Sequence, residues 1–142
     1  MPLRFVPPIH RATHRIGLYL AELGELGLSQ GEAHILAHLA TSGPTTIAGL
    51  HRSLAHKRST LTSILDRLTE RGLITRHVGA ADRRTFVIKP TARGRQVATR
   101  VHRHLEALER SVAGRFSPEE VRAFTRVLAA VEEEAHKKAR RI

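Results

Sequence analysis

The chain has 142 residues, a formal net charge of +11 and no cysteine. This length suits one domain with a buried core. The lack of cysteine excludes disulfides, thiol redox switches and cysteine-based zinc or catalytic sites. No apolar run approaches the ~20 residues that a membrane-spanning helix needs, and the first residues lack the pattern of a signal peptide. We therefore expect a cytoplasmic protein with no membrane partner.

The positive charge is concentrated in the middle third of the chain. Residues 51–100 contain twelve Lys or Arg and three Asp or Glu, a net charge of +9, whereas residues 1–50 are neutral and residues 101–142 carry +2. A basic surface that only aids solubility would spread this charge more evenly. The concentration favours a nucleic acid as partner.

The N-terminal third predicts three helices. Prolines make residues 1–8 an extended arm, and a first helix follows to about residue 23. Ser29 and Glu32 have the spacing of a capping box, which predicts the start of a second helix. A short third helix is expected next, capped by Thr45 or Thr46.

Residues 57–71 predict a fourth helix whose two faces differ in chemistry. Gly72 follows at the position where a left-handed cap is expected. Two β-rich segments around "GAAD" then predict a β-hairpin. The apolar residues of the helix recur at intervals of three and four positions, which is typical of one buried face: Leu61, Ile64, Leu65 and Leu68.

The C-terminal third predicts two long helices. Thr91 caps the first, and Ser117 with Glu120 forms another capping box at the start of the second. Apolar residues of the last helix step by three and four positions from Val121 to Ala135, a rhythm that suits packing against another long helix. An intrachain core face and a subunit interface explain that rhythm equally well.

The order helix, turn, helix and basic hairpin is that of a winged helix-turn-helix. The apolar face of the second of these helices packs on the first, so its other face is free to enter a DNA major groove about 12 Å wide. Short hydroxyl side chains permit close approach there, and lysine or arginine reaches phosphates or guanine edges. The residues predicted to contact DNA from this helix are Lys57, Arg58, Ser59, Thr60, Thr62, Ser63 and Arg67.

The hairpin, over residues 76–89, supplies a second predicted contact. Its cations include Arg76, Arg83 and Arg84, and an arginine at a hairpin tip can insert into the narrow minor groove. Asp82 lies among them. We expect it to brace a neighbouring arginine, because a carboxylate that faced a phosphate would be repelled. Helix and hairpin together predict binding to double-stranded DNA.

The chain resembles the MarR-type transcriptional regulators over about residues 28–97. The shared motifs are "LSQGEAHILAHL", "STLTSILDRLTERGLITR" and "DRRTFVIKPTARG", in this order and spacing. The resemblance implies a homodimer, whose first, fifth and sixth helices form the dimerisation region, on a pseudo-palindromic operator. It also implies that Ser59, Thr60 and Ser63 lie near base edges. Arg84 would then lie in the minor groove, with Asp82 supporting the wing.

The predicted fold is therefore mostly α-helical with a small β-hairpin wing: a winged helix-turn-helix domain plus a helical dimerisation region formed by the N- and C-terminal helices. The expected divisions are an arm and first helix over residues 1–28, a DNA-binding lobe over residues 29–90, and long dimerisation helices over residues 91–142. Pro90 departs from the family pattern. Because proline lacks an N–H, we expect the second strand to end early.

A response to a small ligand is implied by the same resemblance. Polar side chains of the first two helices are predicted to contact it: His14, Tyr19, His34 and His38. The histidine pairs His10–His14 and His34–His38 are spaced by four residues, which suits a shared metal ion, but zinc sites use three or four ligands. No larger cluster is evident in the sequence. We predict no bound metal and no cofactor, and a possible small-molecule inducer.

Two other functional classes compete with a dimeric, ligand-responsive repressor that recognises its operator by sequence. The alternative is a sequence-indifferent RNA or nucleoid-binding protein. RNA-binding surfaces usually carry exposed aromatic residues, and Phe86 is the one aromatic residue of the basic third. An enzyme is not expected, because the sequence has no nucleophile elbow, no glycine-rich phosphate loop and no H-E-x-x-H motif.

Overall fold

The computed structural model of the chain describes residues 1–23, 27–54 and 58–142, with Arg58 described by its backbone alone. These ranges contain six helices and three short strands, which confirms the predicted fold class. None of the described helices is both long and apolar enough to span a bilayer. In chain order the elements are α1 (Val6–Glu22), α2 (Gln30–Ser42), β1 (Thr45–Thr46), α3 (Ile47–Leu54), α4 (Arg58–Glu70), β2 (Ile74–Val78), β3 (Phe86–Pro90), α5 (Ala92–Ala113) and α6 (Pro118–Ala139).

The chain forms two compact units, Met1–Arg103 and His104–Ile142. The first unit contains the sheet, helices α1 to α4 and the first part of α5. Its core consists of almost fully buried apolar side chains, among them Leu36, Leu50 and Ile88. The second unit contains the rest of α5 and α6, and α6 has no buried residue. The predicted divisions after residues 28 and 90 separate the chain by the expected function of each part, whereas these two units are defined by packing. The functional divisions therefore stay predictions.

The wing belongs to a three-stranded antiparallel sheet with the strand order β1-β3-β2. β2 and β3 form the predicted hairpin, with Ile74 opposite Pro90. The sequence does not reveal β1, because two residues, Thr45 and Thr46, show no alternation. The expectation that Pro90 shortens β3 is wrong. β1 begins at Thr45 opposite Ile88 and does not reach Pro90, so Pro90 has a strand on one side only, where a missing N–H is tolerated.

The predicted extended arm over residues 1–8 is also wrong, because α1 begins at Val6. Pro7 and Pro8 occupy its first turn, where the fixed φ of proline suits a helix and its missing N–H loses no intrahelical partner. Four predicted N-caps form. Each is a side-chain oxygen that accepts the backbone N–H three residues on, at Ser29, Thr46, Thr91 and Ser117. The full capping box is present at Ser117 with Glu120. The Glu32 carboxylate instead accepts from the Ser29 hydroxyl and from two arginines.

Thr91 and Gly94 join the start of α5 to the turn that follows α4. Thr91 donates its hydroxyl to the carbonyl of Gly72 at 2.7 Å and its N–H to the carbonyl of Leu73 at 3.0 Å. Gly72 has φ +70°, which is the predicted left-handed cap. A Cβ at Gly94 would overlap the Leu73 carbonyl group. Glycine at this position therefore permits the close approach of α5 to the turn.

A buried carboxylate joins α2 to α4. Glu32 is 5% exposed, and its two oxygens accept from Arg67 Nε at 3.1 Å and from Arg71 Nη1 at 3.2 Å. Arg71 also donates to the carbonyl of Gly27 at 2.8 Å. Ser29 donates its hydroxyl to the same carboxylate. These bonds fix the N-terminal end of α2 against the C-terminal end of α4.

Gly94→Ala should lower the free energy of unfolding by about 1–3 kcal/mol, because the added methyl group must displace the backbone of Leu73. Urea unfolding followed by circular dichroism measures the change. Gly114→Ala is the matched control. A Cβ there would make only ordinary contacts, the nearest at 3.4 Å from the Arg110 oxygen. Equal stability of the two variants would contradict the close approach.

Glu32→Gln should destabilise the protein by about 1–2 kcal/mol, because it removes the charge that balances two arginines. The loss stays below that of a fully buried pair, since the Arg67 and Arg71 side chains are 50% and 36% exposed. Glu119→Gln is the control for an exposed pair, with Arg122 at 3.0 Å, and should change stability by less than about 0.5 kcal/mol. If both variants unfold at the same urea concentration as the wild-type protein, the buried carboxylate does not stabilise the fold.

Candidate nucleic-acid interface

The outer face of α4 is rich in hydroxyl groups. The helix turns its apolar residues inward, and each is at most 3% exposed: Leu61, Ile64, Leu65 and Leu68. The four predicted hydroxyl residues are exposed on the outside: Ser59, Thr60, Thr62 and Ser63. Lys57 lies outside the described residues, and only the backbone of Arg58 is described. The first turns of α4 thus present short donors to the surroundings.

Asp66 follows Ser63 by three residues and pairs with the wing. One oxygen of its carboxylate accepts from Arg76 Nη2 at 2.7 Å. Arg76 belongs to β2, and its side chain is 30% exposed. Its buried Nε has no hydrogen-bond partner within the described part of the chain. The ion pair connects α4 to the wing and neutralises a carboxylate that would otherwise repel phosphates.

Arg67, which the sequence predicts as a DNA contact, is held by the buried carboxylate of Glu32. Its neighbour on the next turn, Arg71, is held there too. Both guanidinium groups therefore stabilise the packing of α2 on α4. The Arg67 side chain remains half exposed, but its Nε points to Glu32 of α2 and not to the hydroxyl face of α4.

The wing tip exposes its arginines around a tight turn. The carbonyl of Asp82 accepts both the N–H and the hydroxyl of Thr85, at 3.1 and 2.7 Å. The Asp82 carboxylate accepts the backbone N–H of Arg84 at 3.0 Å and its Nε at 3.4 Å. The side chain of Arg84 is nevertheless 92% exposed, and Arg83 is exposed beside it. The carboxylate thus orders the turn and leaves most of the Arg84 surface in water.

The sequence does not predict two features of this surface. One is the pairing of Asp66 with Arg76, because a helix-to-strand contact ten residues apart has no periodic signal. The other is the exposure of Val78 and Phe86, which are 56% and 47% exposed at the outer end of the wing. Their position opposite each other follows from the register of the hairpin, so the pairing of the strands is the signal that would reveal them.

The predicted ligand residues do not share the cleft that the described residues of α1 form. His14 lines an open cleft of about 440 Å³ on α1, together with four other residues of that helix: His10, Arg11, Arg15 and Leu18. Tyr19, His34 and His38 are half-buried and do not line it. Over the described ranges, no group of three or more histidine or acidic side chains is arranged to hold a metal ion.

The part of the chain that carries this surface is similar to known proteins. The MarR family model matches residues 28–86, from just before α2 to the first residue of β3. The chain is 28% identical over 126 residues to the HTH-type transcriptional repressor Mb2911 of Mycobacterium bovis. It is equally similar to the HTH-type transcriptional repressor Rv2887 of Mycobacterium tuberculosis. Each match covers 85% of this chain and 91% of the relative.

Solved structures share the fold of this chain. S. aureus MepR in its DNA-binding conformation has a TM-score of 0.85 at 18% identity, over 94% of this chain and 99% of that one. The S. aureus MepR–DNA complex has a TM-score of 0.80 at 19% identity, with the same coverage. A mutant of E. coli MarR complexed with operator DNA has a TM-score of 0.72 at 23% identity, over 88% and 91% of the two chains.

The matched segment contains α2, α3, α4, β2 and the wing turn, which are the elements that build the hydroxyl face and expose the wing arginines. At these identities the structural likeness shows a common fold, and the family match agrees with it. Residues 28–86 therefore match the MarR family model, and the fold of the chain is that of the solved MarR-family winged helix-turn-helix structures.

Proposed function

We propose that this protein is a dimeric transcriptional repressor that recognises an operator sequence in double-stranded DNA. The observation that carries the proposal is one exposed edge of the first unit. There the hydroxyl face of α4 lies beside an arginine-tipped wing, and the Asp66–Arg76 ion pair joins the two. The names of the curated relatives as repressors and the DNA-bound structures of MepR and MarR support it.

In this proposal α4 enters the major groove. Side chains as short as serine and threonine let a helix backbone approach the base edges, and their hydroxyls donate or accept there. The wing follows the adjacent phosphates, and its arginines reach the minor groove. The proposed contacts are Lys57, Arg58, Ser59, Thr60, Thr62, Ser63, Arg83 and Arg84.

Two residues of the predicted set have a different part in the proposal. Arg67 and Arg76 each have a carboxylate partner within the lobe, and their side chains are only 50% and 30% exposed. Their guanidinium groups are therefore less available to a phosphate than that of Arg84, whose side chain is 92% exposed. We assign both to the positioning of α4 and the wing. Asp82 has the same part at the wing tip, where it orders the turn that presents Arg84.

The proposed homodimer follows from the second unit, considered by itself. α6 has no buried residue, and four large apolar side chains of His104–Ile142 are 49–59% exposed: Val112, Phe116, Phe124 and Val127. Large apolar side chains left exposed in this way are candidates for an interface. The apolar rhythm from Val121 to Ala135 thus suits a subunit interface better than an intrachain core. A two-fold dimer would bind half-sites about one helical turn of DNA apart.

The ligand part of the proposal is the relief of repression by a small molecule. Gln30, at the start of α2, donates to the carbonyl of Thr13 on α1 at 3.4 Å, so the two helices that carry the predicted ligand residues are in contact. We keep His14, Tyr19, His34 and His38 as the proposed contacts. A molecule that bound them would act on the same α2 that Glu32 connects to α4.

One observation favours the alternative of sequence-indifferent nucleic-acid binding. Phe86 is 47% exposed, and an exposed aromatic residue can stack on the bases of a single strand. Affinities for three probes separate the functions: a duplex selected by the wild-type protein from a random library, a scrambled duplex and a single strand. Strong preference for the selected duplex supports the repressor, whereas equal affinities support the alternative.

Arg84→Ala should weaken binding to the selected duplex about tenfold, because it removes a groove or phosphate contact that displaces counterions. The plot of log affinity against log salt should become less steep by about 1. Titration by fluorescence anisotropy at several salt concentrations measures both. Arg126→Ala on α6, another exposed arginine, is the control and should keep affinity and slope. If Arg84→Ala keeps the affinity and the salt slope of the wild-type protein, the wing does not contact DNA as proposed.

Asp66→Asn should weaken DNA binding about fivefold, although it removes a negative charge from a surface that meets phosphates. The reason is that Arg76 loses the partner through which α4 holds the wing, and close charge pairs couple by about 0.5–3 kcal/mol. Arg76→Gln should weaken binding similarly, and the double variant should be no weaker than either single one. Anisotropy titration at one salt concentration measures all three.

Glu70→Gln is the control for this set, because it removes an exposed negative charge from the same helix without touching the wing. It should leave affinity unchanged or raise it slightly. Stronger binding by Asp66→Asn, together with a smaller salt slope for Arg76→Gln, would instead return Arg76 to the DNA contacts that the sequence predicts.

A further inference from the structure

Val78 and Phe86 form an apolar pair at the outer end of the wing. They are the last residue of β2 and the first of β3, and they lie directly opposite each other in the antiparallel register. Side chains so paired are close enough to contact each other. Both remain about half exposed, at 56% and 47%. The pair is therefore an apolar surface a few residues from the exposed arginines of the tip.

The pair is on the side of the wing that faces α4. Alternate residues of a strand share a face, so Val78 shares a face with Ile74 and Arg76. Ile74 is 1% exposed in the core, and Arg76 reaches Asp66 of α4. On β3, Phe86 shares the face of Ile88, which is fully buried. The apolar pair therefore lies on the face of the sheet that packs on the core, but beyond the last buried residues of that face.

We propose that Val78 and Phe86 contact the deoxyribose sugars of the duplex whose major groove α4 enters, an inference that rests on the proposed function. A duplex held against α4 has its sugar-phosphate wall beside this face of the wing. Sugar rings offer apolar C–H surface between the phosphates. An aliphatic and an aromatic side chain cover such surface, while the neighbouring arginines bind the phosphates or the groove.

The charge around the pair argues for DNA as the occupant rather than a second copy of the chain. Arg83 and Arg84 lie within three residues of Phe86, and the Arg84 side chain is 92% exposed. Two wings packed through this pair would bring their arginines together, and like charges at close range repel. A polyanion with apolar sugar rings satisfies both the cations and the apolar surface.

The first test replaces the side chain and measures affinity as a function of salt. Phe86→Ala should bind the selected duplex about tenfold more weakly, because apolar contact area is lost. The salt slope should stay unchanged, since a sugar contact releases no counterions, in contrast to the slope change of Arg84→Ala. Phe86→Leu should retain most of the affinity, because sugars accept any apolar side chain. If Phe86→Leu loses as much affinity as Phe86→Ala, the aromatic ring itself is required. That result would overturn the inference in favour of base stacking.

The second test reports the contact directly and does not need a truncated side chain. The chain has no tryptophan, so Phe86→Trp introduces a single indole at the pair. Its emission should change when the selected duplex is added and should return when salt releases the DNA. Ile142→Trp, at a fully exposed residue outside α6, is the control and should not respond.

The outcomes separate this inference from the function on which it rests. If the wild-type protein selects no duplex, the proposed function fails. If wild type binds and the Phe86→Trp emission stays constant, the sugar contact alone is wrong. If Phe86→Ala loses affinity only in proportion to a loss of folded protein, shown by circular dichroism, the pair is structural and the inference is also wrong.

Discussion

The burial of one face of α4 is the constraint on which the rest of this structure depends. Leu61, Leu65 and Leu68 are at most 1% exposed, and removing such side chains from water provides the main favourable free energy of the lobe. A helix rotated about its axis would expose them, so its rotation is fixed. The same rotation directs the serines and threonines outward. The chemistry of the surface is thus set by the packing of the core.

Electrostatic contacts then divide the arginines of the lobe into two groups. Arg67 and Arg76 are held by carboxylates, one buried and one exposed, and they fix α4 to α2 and to the wing. At the wing tip, Asp82 orders the turn and leaves the Arg84 side chain almost wholly in water. A net charge of one sign on the surface therefore does not by itself identify contact residues. A guanidinium that is both paired and partly buried is less available to a phosphate than one whose side chain stays almost wholly in water.

The wing combines two kinds of surface that suit one ligand. Its tip carries arginines, and the strand ends behind it carry Val78 and Phe86 on the side of α4. DNA presents charged phosphates and apolar sugar rings within a few ångströms of each other. An ion pair between β2 and α4 holds the wing at one angle to the helix. The arginine tip and the apolar pair can contact the same duplex only if that angle matches the spacing of the DNA grooves.

The sequence by itself determined the helices, their caps, the hairpin and the hydroxyl face of α4, because these depend on local spacing: 3.6 residues per helical turn, two per strand repeat and three across a cap. It also determined where the positive charge lies. Only the tertiary structure decided that Glu32 holds two arginines, that Asp66 meets Arg76 and that Phe86 is exposed. The contacts of Glu32 and Asp66 join residues 10 to 39 positions apart. Contacts over such distances follow from how the elements pack, and no short-range periodicity in the chain records them.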